Sequence, residues 1–266
     1  MRRVALPAAV LFFAAHATCA DAQTTRLDTA YSIYLTGIPV ARGSVTVELS
    51  EAGYVASGSA RTSRLIRLIS KGDGSMNVRG KFEANRMVTS NFSGRYNSSR
   101  REQKIELSVM NGVAKEISIS PPIPEHDKNR VPITNESRTN VVDPMSAMLA
   151  LVAKGDLLNP ESCNRTIPIF DGRYRFNVVL SFARTEKSMR AEGYQGPALV
   201  CRARYVPIAG HRDRETVQQM AENRDMFVWL APVGGTRVLA PIKASVASPI
   251  GNFVVEATRF SVSTPR

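Results

Sequence analysis

The chain has 266 residues, 43% of them hydrophobic and 22% charged, a balance that excludes wholesale disorder and leaves room for one large β domain or two ordinary ones. Its 35 Lys and Arg stand against 23 Asp and Glu, a formal charge of +12. That excess favours anionic partners without choosing among them.

Residues 1–22 read as a secretory signal peptide: Arg2 and Arg3, an apolar run from Val4 to Ala15, then the small-x-small pattern Ala20-Asp21-Ala22. The run is too short to cross a bilayer, which takes about 20 residues as a helix. Cleavage after Ala22 leaves residues 23–266, expected to form a single β domain with no transmembrane segment, and lowers the charge to +11 as Arg2, Arg3 and Asp21 depart. The competing reading is a lipoprotein anchored at Cys19. It meets His16-Ala17-Thr18 where a lipobox carries a large aliphatic residue followed by small ones.

Beyond the leader, apolar and polar residues alternate between closely spaced turn signals, the pattern of antiparallel strands with one wet face. Tyr31, Ile33 and Leu35 lead to a turn at Gly37-Ile38-Pro39, and Val45, Val47 and Leu49 return as the second strand of an opening hairpin. Further strands are expected over 54–60, 75–82, 88–96, 104–110 and 115–120, too close together for crossover helices. Between the first two of these, Arg61, Arg64, Arg67 and Lys71 interleave Leu65, Ile66, Leu68 and Ile69, a short amphipathic segment suited either to an anionic lipid surface or to plain packing with its arginines in water.

A Pro- and charge-rich stretch near 120–141 reads as a linker or long loop. Asp143-Pro144 then looks like an N-cap and first helical residue, and Met145, Met148, Leu149 and Val152 recur at helical spacing up to Gly155, predicting a helix packed on the sheet. Asp171-Gly172 is a hairpin turn between Ile167–Phe170 and a strand whose Tyr174, Phe176, Val178, Leu180 and Phe182 share one face. Leu199, Cys201, Ala203 and Tyr205 share another. A short surface helix is expected over 213–223 with Val217, Met220 and Ala221 as its apolar stripe, followed by strands over 226–230, 236–248 and 252–262. In the last, Phe253, Val255 and Ala257 change parity to Phe260 and Val262, which predicts a β-bulge near Thr258.

Cys19 leaves with the leader, so Cys163 and Cys201 remain. Two cysteines in an exported chain read as one disulfide; the alternative is two separate buried thiols, and the Cys-x-x-Cys spacing of a redox pair is absent. His126 and His211 have no second ligand at helical or hairpin spacing, so neither a metal nor another cofactor is expected. No Gly-x-Ser-x-Gly, His-Glu-x-x-His or phosphate-cradling glycine loop occurs, and no catalytic residue is assigned. Basic residues are scattered over many strands without an aromatic platform, which argues against nucleic acid.

Several of these features occur together in one family. Asp143-Pro144 with Ser146-Ala147, then Cys163, Phe170-Asp171-Gly172-Arg173 before a Tyr- and Phe-rich strand, Cys201-Arg202-Ala203-Arg204-Tyr205 and Pro207-Ile208-Ala209-Gly210-His211 resemble the bacterial domain-of-unknown-function family three-one-zero-eight. The general plan is also similar to that of periplasmic β-spiral proteins tied to envelope integrity. The resemblance implies export in Gram-negative bacteria and a curled antiparallel sheet with a disulfide, and it carries over no catalytic residue.

The expected fold is therefore mainly β, a large curled antiparallel sheet (open barrel or β-spiral) with one or two short helices and one disulfide. The expected function is that of a non-enzymatic periplasmic protein that binds an envelope component, whether anionic lipid, polysaccharide or protein, and supports envelope integrity. The alternative is an enzyme acting on cell-wall or lipid material, with Asp171 or Asp143 recruited near His211.

Overall fold

The computed structural model describes residues 24–264 apart from 65, 69–70, 84–85, 100, 123–128 and 154. Residues 1–22, read above as a signal peptide, and His126 lie outside the described residues, and Cys19 with them. The chain forms an antiparallel sheet of 14 strands: β1 (Thr25–Leu35), β2 (Ile38–Ser50), β3 (Gly53–Thr62), β4 (Gly72–Glu83), β5 (Arg86–Ser98), β6 (Arg101–Met110), β7 (Val113–Ser120), β8 (Ala150–Leu151), β9 (Arg165–Phe170), β10 (Arg175–Ala191), β11 (Tyr194–Ala209), β12 (Met226–Pro232), β13 (Val238–Ser248) and β14 (Gly251–Ser263). The described residues hold one α-helix, α1 (Glu215–Glu222), and several 3-10 turns.

The strand order is β7-β6-β5-β4-β3-β2-β1-β14-β13-β12-β11-β10-β9, with β8 paired to β13. Every neighbour on that path is also a neighbour in sequence except β1 and β14, so two meanders run outward from a central pair made by the first and last strands. Sequential hairpins satisfy backbone groups at little loop-closure cost, which is why the alternation is so regular. Each half must still bury its apolar face, and the sheet does so by curling into a nearly closed barrel.

Bulges set the curl, because one extra residue bends a strand and increases its twist. The expected one is present: Ala30 pairs with Arg259 and Tyr31 with Ala257, so Thr258 is the extra residue. Its hydroxyl donates to Ala30 O, and its carbonyl accepts the N–H of Glu192 at the tip of the β10–β11 hairpin. That long hairpin slips register at three places and its tip folds onto β14, where Tyr194 meets Phe260 edge-on at 5.2 Å. Phe182, expected to close the inward face, is instead 36% exposed, because the ladder skips Ala183 and the strand turns away there.

The free edges of the two meanders are brought together by residues 139–142. Thr139 bridges Val113 of β7 and Val142 bridges Ile169 of β9. Asn140 N–H donates to Gly112 O, Val142 N–H to Pro168 O, and Phe170 N–H to Val142 O. The Pro-rich stretch is thus no linker, since its end closes the sheet.

The helix expected after Asp143-Pro144 is not formed. A single 3-10 turn, Ser146–Met148, is followed by extended chain at Leu149, and Ala150–Leu151 then pairs with β13. Asp143 does cap the turn, but its carboxylate is held by more than a helix start. Oδ1 accepts the N–H groups of Met145 and Ser146, and Oδ2 accepts the hydroxyls of Thr89 and Ser146. Ser146 in turn bonds Tyr54 Oη at 2.6 Å. This buried knot fixes the segment inside the barrel, where sheet pairing outcompetes helix propagation. The shorter helix α1 does form, presenting no fully buried residue.

Candidate functional site

Two chambers lie inside the curl. The first, about 530 Å³, sits in the first meander and is walled by Val45, Met76, Phe92 and Ile105 with Met145 and Met148 of the internal segment. The second, about 770 Å³, sits in the other meander. Phe176, Val178, Ala203, Tyr205, Val228 and Val246 line it, and Val217 and Met220 of α1 lie over it. Tyr31, Met148 and Val255 belong to both walls. The two chambers are therefore compartments of one interior, divided by those side chains.

The partition is held in place. Tyr31 Oη donates to Pro241 O at 2.6 Å, and burial pushes the phenol up to about 12, so it stays neutral. Met145 enters the first meander over Gly58, where a Cβ would stand 3.2 Å from its Cε. Close backbone approach of this kind is what a strand glycine permits.

Polar groups facing the chambers are few. In the first, Gln103 Nε2 is buried and has no hydrogen-bond partner among the described residues, an unused donor for a polar ligand atom. Asp171 also borders this chamber. Its Oδ1 accepts the N–H groups of Arg173 and Tyr174 at 2.7 and 2.6 Å, the hairpin turn expected from the sequence, while burial raises its pKa against the pull of those amides. Beside it, Arg130 and Arg173 stand over the Tyr174 ring at 5.2 and 5.7 Å, and burial raises the Tyr205 phenol, helped by the nearby Asp171 charge.

Among the described residues, those named for a possible active site share no hydrogen bond with one another, although Gly210, beside His211, packs against the Arg173 carbonyl in the turn that Asp171 caps. Asp143 is bound into its Thr89, Ser146 and backbone knot, Asp171 into its own turn, and His211 joins Val131 through its backbone carbonyl. Cys163 and Cys201 form the disulfide, with Cα atoms 5.5 Å apart, inside a smaller core of Leu180, Leu199, Leu230 and Leu239 behind the second chamber. The chamber walls were missed by sequence reasoning, since an inward apolar residue looks the same beside a filled core or an open one. The available signal was the strand glycines Gly58 and Gly94, whose inward positions leave the first chamber room.

Comparison with known proteins agrees with this architecture. Across 90% of this chain and 98% of its own, a crystal structure described as a β-barrel-like protein of domain of unknown function DUF1849 from Brucella abortus superposes with a TM-score of 0.52 at 10% sequence identity. That likeness concerns the fold alone. No curated protein matches the chain. The model of the family described as "Protein of unknown function (DUF3108)" matches residues 30–258. Most of the barrel lies within that match, and the chain belongs to the DUF3108 family.

Proposed function

We propose that this protein is a non-enzymatic binding protein of the bacterial periplasm, exported by residues 1–22, which holds an apolar ligand inside its curled sheet and thereby supports envelope integrity. The ligand class is the acyl chain of an envelope lipid. The observation that carries the reading is the second chamber, about 770 Å³ and walled by Phe176, Val178, Tyr205, Phe227 and Val246. That volume is in the range of small-molecule sites, and an apolar wall with few polar groups suits a chain rather than a sugar. A glycan or protein ligand would need convergent hydrogen-bonding groups at the site. Asp143 and Asp171 are committed to turns of their own, which speaks against the enzyme alternative.

Native mass spectrometry and solvent extraction of the protein purified from periplasm test the reading. Bound acyl species are expected, and Ala203→Phe with Ala244→Phe, which fill the chamber, should lower their occupancy at least tenfold. Protein that is always empty, and takes up no added palmitate or hexadecanol, would refute it.

A further inference from the structure

One end of the barrel carries an apolar and basic rim. Four neighbouring turns meet there in an order fixed by hydrogen bonds. Thr36 N–H in the β1–β2 turn donates to Asn252 O beside the β13–β14 turn, Ser63 N–H donates to Val40 O, and Ser99 N–H donates to Lys71 O. The rim thus runs from the β13–β14 turn through the β1–β2 turn and the β3–β4 connection to the β5–β6 turn.

Large apolar side chains stand out along it. Ile250 is 71% exposed, Ile38 is 59% exposed and Tyr96 is 53% exposed. Isoleucines at hairpin tips contribute nothing to the core, and burying their apolar surface elsewhere is favourable. Interleaved with them are Arg42, Arg61, Arg64, Arg67, Lys71 and Arg101, all exposed. Among the described residues, only Asp73 and Glu102 oppose these six cations on the same turns and strand ends; Asp73 stands opposite Arg61 and Glu102 faces Lys104. Arg42 and Arg61 are direct cross-strand partners and Asp73 is Arg61's partner on the other side, so one carboxylate stands in a row with two guanidinium groups and leaves a net positive charge. Past Ile250 the rim reaches α1, where Glu215 and Glu222 balance Arg214 and Arg224, and the basic character ends.

We infer that this rim docks on an anionic bilayer, with Ile38, Ile250 and Tyr96 entering the headgroup layer and Arg42, Arg61, Arg64, Arg67, Lys71 and Arg101 facing lipid phosphates. Isolated cations would fit any polyanion, but apolar side chains between them fit only a partner with an apolar layer beneath its charge. Tyr96, Arg61 and Arg95 also border the first chamber, so docking puts that chamber against the lipid surface. The docking goes beyond the ligand reading, whose failure would leave it standing.

Vesicle flotation of the mature full-length chain tests it. Phosphatidylglycerol and phosphatidylcholine in equal parts should carry the protein, pure phosphatidylcholine should not, and binding should weaken as salt screens the charges. Arg64→Gln with Arg67→Gln should lower partitioning about thirtyfold, at about a tenfold change per 1.4 kcal/mol and about 1 kcal/mol for each cation. Ile38→Ser with Ile250→Ser should lower it at least tenfold, while Met110→Ser, at an exposed apolar residue of the opposite end, should leave it unchanged. Equal binding to neutral vesicles would overturn the inference, as would equal losses from Met110→Ser and the isoleucine pair. Circular dichroism of each variant separates loss of docking from loss of fold. If palmitate uptake fails while flotation succeeds, the ligand reading falls and the docking stands.

Discussion

At the scale of single residues, the two acids that looked most like chemistry are structural, and they differ in how water and charge treat them. Asp143 receives amide donors on Oδ1 and hydroxyl donors on Oδ2, so both oxygens of its buried carboxyl group are hydrogen-bonded. Asp171 is partly buried and accepts two amides on Oδ1, and its partial withdrawal from water raises its pKa. A raised folded value means that the folded chain binds this proton more tightly than the unfolded chain does. Asp171 therefore favours folding at low pH, and that contribution is lost as pH climbs from the ordinary carboxylate range through the raised value. Asp171→Asn keeps an oxygen for both amides and cannot ionise. The variant should match the natural protein near pH 4 and become the more stable of the two by about pH 7. Urea unfolding at successive pH values checks this, and parallel stability curves would refute it.

At the scale of elements, strands were legible and the internal segment was not. Alternation located most of the strands because each has one wet face and one dry one, while β9 and β12 were read from short apolar runs. The parity change at Thr258 was legible for the same reason, since a bulge has to shift every later side chain. Leu149, Ala150, Leu151 and Val152 are all buried. A run buried on every side carries no period, so helical spacing among its apolar residues said nothing about helix. The disulfide was read from compartment and count, and the structure adds what it holds. Cys163 ends a 3-10 turn, Pro160–Ser162, capped by Asn159, and the bridge pins that connection to the middle of β11 across a separation of 38 residues. In the loop-closure model a bridge of this span stabilises by about 4 kcal/mol. Cys163→Ala with Cys201→Ala should lose about that much in guanidinium unfolding, and the natural protein should change mobility on reduction in a non-reducing gel. A double variant of unchanged stability would show that the smaller core, and not the bridge, fixes the connection.

At the scale of the whole molecule, the chambers exist because pairings distant in sequence decide how far the sheet curls. No local pattern reports that β1 meets β14 or that residues 139–142 span β7 and β9. An inward-facing Phe176 or Val178 therefore could not be assigned to a cavity wall from its own strand. The closure itself is slight: Val142 contributes one N–H and one carbonyl to β9, and Asn140 one N–H to the β6–β7 turn. Such a seam should be the weakest ladder in the barrel, and opening it would expose the interior from the side. Val142→Pro tests its part, because proline removes the N–H that donates to Pro168 O while the following Asp143 knot stays in place. The loss should be about 1 to 3 kcal/mol, that of a buried hydrogen bond and its unsatisfied acceptor. Hydrogen exchange should quicken at the edges of β7 and β9 while β1, β2 and β14 keep their protection. Exchange that quickens uniformly would mean that closure is spread over the whole curl, and that the seam is not where the interior opens.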